Sequence, residues 1–409
     1  VNVEWSSGSI PADKAPPLSR GTTQSGVRLY NERLALSLIR RHGELPKAEI
    51  ARLTGLSAQT VSVIVRQLEA DGLLIKKKPQ RGKVGQPLVP FALNPEGAYA
   101  IGLKVGRRSS DLVLLDLAGT VRKTLHQPYK FPTPTDLLGF VRQEIRALLE
   151  DLKPKQRQRI AGLGIAAPFE LWNWEEEVGA PHEVLEAWRG FDLSAAIAQQ
   201  VDWPVHFCND ATAACAAELL FGKGGALRDF AYFYIGYFCG GGIALGGSLY
   251  QGPRGNAGAL GSFPVPKPAG GSEQLIRTAS LFVLEHMLQD SGKSPSLLWQ
   301  DSNDWSAAEP ELGAWIATAA RGLAHAMTGT AAVLDCPAVV IDGAVPAGVR
   351  LRLAEATRAA LAGVNLQGVS PFTIETGSIG TDARAMGAAS LPLLANFIID
   401  REVLFKEAI

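Results

Sequence analysis

From about residue 97 onward the chain alternates short apolar runs with helix-patterned stretches, and that alternation restricts it to an α/β architecture. Two halves are visible. The first runs from Ala100 through IAGLGIAAP (160–168) to WPVHFCND (203–210). The second begins at DFAYFYIGYFCGGGIALGG (229–247), passes an Ala-rich helix near 313–333, and reaches PAVVIDGA (337–344) and GSIGTDARAMGAA (377–389). A chain of 409 residues is too long for one ordinary core, so two or three domains are expected. With 46% hydrophobic and 20% charged residues it is globular rather than disordered in composition.

Ahead of this body lies a segment of different character. Residues 31–87 hold eleven Lys and Arg against five acids, a surplus of six in a chain whose net charge is zero. A basic module therefore sits on an acidic body. Its spacing predicts a helix from Asn31, with Leu34, Leu38 and Ile39 on one face, ending at His42-Gly43. A short second helix begins near Pro46 and turns Ile50, Ala51 and Leu53 inward. After Thr54-Gly55, Ser57 caps a third helix whose Val61, Ile64, Val65 and Leu68 form one buried stripe. The other face presents Gln59, Thr60, Ser62, Val63 and Arg66, mostly side chains suited to reading base edges from the major groove.

Two apolar strands follow around a loop carrying Lys76, Lys77, Lys78, Arg81 and Lys83 with no acid, the pattern of a wing. Ser57, Gln59, Thr60, Ser62, Arg66 and these five cations are the candidate DNA contacts. Residues 1–27, rich in Pro, Ser and Gly, read as a flexible arm, and 28–95 as the winged helix-turn-helix domain. Any three-helix domain could share the pattern, and a lysine run can be a solvated face. Helix spacing, capping and wing charge nevertheless agree.

Cys208, Cys215, Cys239 and Cys336 are scattered without C-x-x-C spacing, so free thiols in a reducing cytoplasm are expected. No run approaches the roughly 18 apolar residues of a membrane span, and no signal pattern opens the chain, so neither membrane insertion nor secretion is expected.

Several motifs in order give the chain a specific likeness. These are the winged module with Gly85-Gln86-Pro87, the strand-turn-strand at 102–120, WRGFDL (188–193), Asn209-Asp210 opening an Ala-rich helix, Gly240-Gly241-Gly242, and GPRGNAGALG (252–261). In this arrangement the sequence resembles the ROK family, named for repressors, open reading frames and kinases, and within it the transcriptional-regulator branch. The resemblance covers the chain from about residue 31. It implies an actin-like ATPase (ribonuclease H-like) fold of two lobes closing on a cleft, occupying 96–409, which would bind an effector and mediate oligomerisation.

The resemblance also shows where chemistry has changed. Family kinases carry an Asp-x-Gly-Gly-Thr hairpin whose acid helps hold magnesium; here Lys104-Val105-Gly106-Arg107-Arg108 stands in that place. A cation cannot ligate magnesium, and Arg107 replaces a glycine that admits phosphate close to the backbone. An anion-binding role for Lys104 and Arg107 stays open. Asn209 and Asp210 remain, the latter resembling the kinases' general base; ligand recognition and a plain helix cap are both open readings. The sugar-contacting and zinc-contacting Glu and His of the family are Ala259 and Ser262 here. The cysteine-rich zinc segment is replaced by PVPKPAGGSEQ (264–274), with Glu273 or Gln274 as partial substitutes for the lost sugar contact. ELWNWEEE (170–177) offers Trp172 and Trp174 either as sugar-stacking aromatics or as part of a surface loop around a buried tryptophan.

These readings converge on a DNA-binding regulator, a repressor of a carbohydrate-related operon, with no enzymatic activity, cofactor or metal. Its expected partners are an operator in double-stranded DNA, a small carbohydrate or derivative held by Asn209, Asp210, Gly258, Ala259 and Ser262, and further copies of itself as a homodimer or tetramer. Two alternatives stand beside it: a sugar kinase with a DNA-binding head, and a ligand-independent DNA-binding scaffold.

Overall fold

The computed structural model describes residues 23–79, 88–168, 181–223, 226–267, 269–299 and 304–399. Its first helix, α1 (Gln24–His42), is set by Thr23, whose Oγ1 accepts from the Gly26 amide at 3.0 Å. This cap starts the helix ahead of Asn31, so residues 24–27, which composition alone assigns to the arm, belong to α1. The buried face of α1 is Ala35, Leu36 and Ile39, while Leu34 and Leu38 are only half-buried. The stripe is rotated from the expected one because α1 faces both the rest of the module and the body behind it.

Strand β1 (Glu44–Pro46) leads into α2 (Lys47–Thr54), which stops at Gly55 in the left-handed conformation. Ile50 is buried and Ala51 packs against the same core, but Leu53 faces outward, a correction to the expected inward triplet. In α3 (Ala58–Ala70) Val61, Ile64, Val65 and Leu68 are all buried as their spacing predicts. Strands β2 (Leu74–Lys76) and β3 (Pro90–Leu93) pair antiparallel, and β1 joins the other edge of β3. That sheet beside a helix-turn-helix is a winged helix.

The body begins at β4 (Tyr99–Val105) and contains two sheets of five strands built on one plan. In the first lobe β4, β5 (Ser109–Asp116) and β6 (Val121–Pro128) form an antiparallel meander. Helices α4 (Pro134–Leu148) and α5 (Pro154–Arg157) then lead to β7 (Ile160–Ala167), parallel to β4. After α6 (His182–Glu186) and α7 (Leu193–Ala198), β8 (Val205–Asn209) adds in parallel to β7, and α8 (Asp210–Phe221) follows directly.

The second lobe repeats the sequence of events. β9 (Phe230–Ile235), β10 (Gly240–Leu245) and β11 (Ser248–Tyr250) form the meander. A small hairpin, β12 (Pro264–Pro266) with β13 (Ser272–Gln274), precedes α9 (Ile276–Ala279), α10 (Leu281–Asp290) and α11 (Glu311–Leu334). Strand β14 (Ala338–Gly343) lies parallel to β9, and β15 (Thr373–Thr376), beyond α12 (Ala347–Ala360), lies parallel to β14. The last described helix, α13 (Ala383–Phe397), crosses back onto the first lobe.

Between the two sheets lie α8 and α13, packed on one another and each on glycine-bearing strands. A Cβ on Gly164 of β7 would sit 1.8 Å from the Ala388 carbonyl oxygen of α13. A Cβ on Gly242 of β10 would sit 2.5 Å from that of Cys215 in α8. The glycine run 240–242 is thus a seat for a helix. Trp188 of WRGFDL is buried in the first lobe, its Nε1 donating to the Pro132 carbonyl at 2.9 Å. The four cysteines are buried and unpaired, and among the described residues no helix is long and apolar enough to cross a membrane.

Gly164→Ala puts a methyl group against backbone with nowhere to move, so it is expected to destabilise the protein by about 3 kcal/mol in urea unfolding. A loss under about 0.5 kcal/mol would show that the helix is not so closely seated.

Candidate effector site and nucleic-acid interface

The proposed DNA-reading face is open to solvent. Gln59, Thr60 and Arg66 are exposed, Ser62 is half-buried, and Val63 stands 60% exposed in their midst. Ser57 and Thr60 hold each other at 2.8 Å between hydroxyls, and Ser57 Oγ accepts the Thr60 amide at 3.1 Å, so Ser57 serves as the helix cap. Lys77 and Lys78 are exposed. Lys76 is paired with Glu69 of α3 at 2.8 Å, so the wing cations are not all unopposed: an acid from the neighbouring helix reaches the first of them. Arg81, Lys83 and Gly85-Gln86-Pro87 lie outside the described residues.

In the body, the turn between β4 and β5 has been rebuilt around a buried cation. Lys104 is 7% exposed, and its ammonium donates to Asp111 Oδ2 at 2.8 Å, Ser109 Oγ at 3.0 Å and the Ser109 carbonyl at 3.2 Å. An ammonium has three donors, and all three are used within the hairpin. Burial lowers the Lys104 pKa, the nearby Arg384 lowers it further, and Asp111 opposes both. Burial raises the Asp111 carboxyl, but Lys104 and His126 outweigh it and hold the group below its ordinary value. His126 Nδ1 lies 2.5 Å from the second carboxylate oxygen of Asp111. Asp111 is the residue directly opposite Lys104 in the antiparallel register. Strand alternation could have found it, since cross-strand partners share a face.

The two arginines after Lys104 reach into the other lobe. Arg107 stacks on the Tyr237 ring at 4.0 Å from its centroid. Arg108 pairs with the buried carboxylate of Glu285 in α10 at 2.7 Å and lies over Trp299 at 4.9 Å. Tyr237 is packed against Phe238, Phe282 and Trp299, and both Tyr237 and Phe238 belong to the β9–β10 turn. The tips of the two equivalent hairpins therefore meet through cation–aromatic contact, and an ion pair to α10 reinforces it. Lys104 and Arg107, which the sequence leaves open as anion ligands, are both engaged inside the protein.

Asn209 and Asp210 sit where β8 becomes α8. Asn209 Oδ1 accepts from the amides of Ala211 at 3.0 Å and Thr212 at 3.4 Å, so its cap role is realised. Asp210 Oδ2 accepts from Arg384 Nη1, at 3.0 Å, with both side chains largely buried. Burial disfavours the charge of Arg384, but Tyr234, Asp210 and Asp111 around it more than offset this and raise its pKa. Its guanidinium lies over the Tyr234 ring at 5.2 Å. Nothing in the spacing of DARAMGAA marks Arg384 as the partner of a residue so distant in sequence.

The remaining candidates join this neighbourhood through the glycine run. A Cβ on Gly240 would lie 2.8 Å from that of Ala211, and one on Gly261 would lie 3.6 Å from the Gly240 Cα. Gly258, with φ +82°, stacks on Gly242 in the same way. Ala259 and Ser262 are exposed beside it. Glu273 and Gln274 lie in β13. Trp172 and Trp174 fall outside the described residues. Next to the Asp210–Arg384 pair a cavity of ≈ 140 Å³ is lined by Lys104, Asp111, Thr124, Asp382, Arg384 and Met386 among others. Burial and the charge of Asp111 push the Asp382 carboxyl above its ordinary value.

Removing the cation from a buried pair strands its partner, so Lys104→Met is expected to cost about 2–4 kcal/mol in chemical denaturation. Lys104→Met with Asp111→Leu should recover most of that loss. A single variant as stable as the parent would mean that Lys104 is not the partner Asp111 depends on.

Comparison with known proteins agrees with this architecture. The sequence profile of the ROK family matches residues 100–394, and that of the MarR family matches residues 30–83. The xylose repressor of Bacillus spizizenii is 26% identical over 242 residues, a match spanning 59% of this chain and 62% of the repressor. A crystal structure of a ROK family transcriptional regulator, a homolog of the Escherichia coli MLC protein, superposes with a TM-score of 0.63 at 19% identity, covering 93% of this chain and 99% of the other. A ROK family glucokinase from Streptomyces griseus, solved with glucose and AMPPNP, gives a TM-score of 0.57 at 20% identity over 72% of this chain and 99% of the enzyme. The chain belongs to the ROK family, with a MarR-type winged helix at the head of a two-lobed sugar-kinase-like body.

Proposed function

We propose that this protein is a DNA-binding transcriptional repressor of a carbohydrate-related operon, acting in the cytoplasm as a homodimer or tetramer, and that its body binds a small carbohydrate or derivative without phosphorylating it. The observation that carries the non-enzymatic part is the state of Lys104. Its three donors are used by Ser109 and Asp111 where family kinases, by resemblance, keep a magnesium-holding acid. The Arg107 stack on Tyr237 supports the same reading, because it fills the space between the hairpin tips with side chains. Phosphoryl transfer rests chiefly on metal and positioning, so Asp210 alone would supply little rate.

Effector binding is assigned to Asn209, Asp210, Gly258, Ala259 and Ser262. Asp210 keeps an acceptor for sugar hydroxyls, whereas Ala259 and Ser262 offer weaker contacts than the Glu and His they replace. Each lost hydrogen bond to a charged partner is worth roughly 1.5–3 kcal/mol, so a plain hexose should bind at least about tenfold more weakly than in a relative with an intact site. Calorimetry against xylose, hexoses, sugar acids, polyols and sugar phosphates, with Asp210→Ala as control, tests this. Micromolar glucose binding untouched by Asp210→Ala would place the site elsewhere. ATP-dependent turnover of any sugar, abolished by Asp210→Ala, would establish the kinase alternative instead.

DNA binding is assigned to α3 and the wing. If each subunit neutralises about four phosphates, a dimer's log–log salt slope should be near −7. Lys77→Ala with Lys78→Ala should make the slope shallower and weaken all sequences alike, while Gln59→Ala or Arg66→Ala should relax base preference at about 1–3 kcal/mol on the cognate site. A slope shallower than about −2 would rule out this interface.

A further inference from the structure

Helices α8 and α13 start together and end together. At their beginnings Asp210 and Arg384 are paired at 3.0 Å. Along their length they touch closely, a Cβ on Gly387 of α13 falling 1.9 Å from the Ala213 carbonyl oxygen of α8. At their far ends both meet α1 of the winged helix. Phe221, the last residue of α8, carries the Arg40 guanidinium over its ring at 5.4 Å. Phe397, the last residue of α13, packs against the hydrophobic core of the winged module. Just beyond it the Ile398 carbonyl accepts from Arg33 at 3.4 Å, and the Ile399 amide donates to Ser37 Oγ at 3.2 Å.

A helix of this length spans about 22 Å, so α13 alone bridges the candidate effector site and the DNA-binding module. It lies against β4 and β7 at positions where glycine leaves backbone facing backbone, a contact that fits in one arrangement and resists small deformation. Pro392 interrupts the hydrogen-bond ladder within α13 but is itself seated against Gly162 and Gly164 of β7, so a shift of the first turn is carried to the far end by this close packing.

We propose that Arg384 is the coupling residue of this protein: it occupies Asp210 when no effector is bound, and an effector whose hydroxyls take Asp210 displaces the guanidinium, releases the first turn of α13 and so changes how α13 and α8 hold α1. This rests on the assignment of Asp210 to the effector site. The energetic logic is a competition for one carboxylate. A largely buried arginine that loses its acid is disfavoured where it stands, so its helix turn shifts to give it another partner or water. The cavity beside it, with Asp111 and Asp382 in its wall, provides that destination. An effector then favours the shifted arrangement to the extent that it binds Asp210 only when Arg384 has left.

The test uses the full chain without ligand, so that it does not depend on knowing the effector. Hydrogen–deuterium exchange is compared among the parent, Arg384→Met, Asp210→Asn and Arg384→Lys. Exchange in 393–399 and in 33–41 of α1 is expected to rise by about tenfold or more in Arg384→Met and Asp210→Asn, with α11 unchanged. Arg384→Lys, which keeps the charge beside Asp210, should stay near the parent. Unchanged exchange in α1 in both charge-removing variants would overturn the proposal. So would a rise of equal size in α11, which would mean general loosening. Affinity for a duplex selected by the parent from a random pool should also change by about tenfold in Arg384→Met, and threefold or less in Arg384→Lys. If the parent selects no duplex, the repressor reading fails, and the exchange comparison still decides the coupling.

Discussion

The contact on which most of this structure depends is backbone against backbone, where α13 crosses from the second lobe to lie on the sheet of the first. Gly102 and Gly164 present no side chain, and the helix approaches so closely that a methyl group at either would collide with it. Because α13 is the last described helix of the second half and packs in the first, it binds the two halves into one body. The same contact fixes where Arg384 stands, and thereby places a cation beside Asp210. Close seating of α8 on β10 through Gly242 completes the pair from the other side.

Around that scaffold the charged side chains of the first hairpin are paired within the protein. A lysine in the hairpin pairs with the acid opposite it, and two arginines at the turn reach the second lobe. Each of these cations is held by partners within the protein, and buried charges persist only where such partners exist. The result is two lobes joined at their hairpins, with Asp210 paired to Arg384 beside them. Such an arrangement suits a protein whose output is a change in shape.

Much of the fold was legible in the sequence because it rests on local rules. The stripe Val61, Ile64, Val65 and Leu68, the Ser57 cap and the β4–β5 hairpin all follow from spacing and turn chemistry. The start of α1 is not legible, because the surrounding Ser and Gly composition masks Thr23 as a cap. Leu53 faces outward against its spacing, because a short helix offers too few turns to define a face. In the site, Asn209 could be read as a cap from its position, but the partner of Asp210 lies 174 residues away. No period or motif links them.

The amino-acid sequence by itself determined the two-part organisation, the winged helix and the alternating α/β body, since each is written in neighbouring residues, and it put a lysine, Lys104, in the first hairpin of that body. Only the tertiary structure decided what that lysine and its neighbours do. Whether a buried cation binds an anion from solution or an acid from the same chain depends on which groups the fold brings within hydrogen-bond distance. That is set by the packing of helices on sheets, which the order of residues does not state.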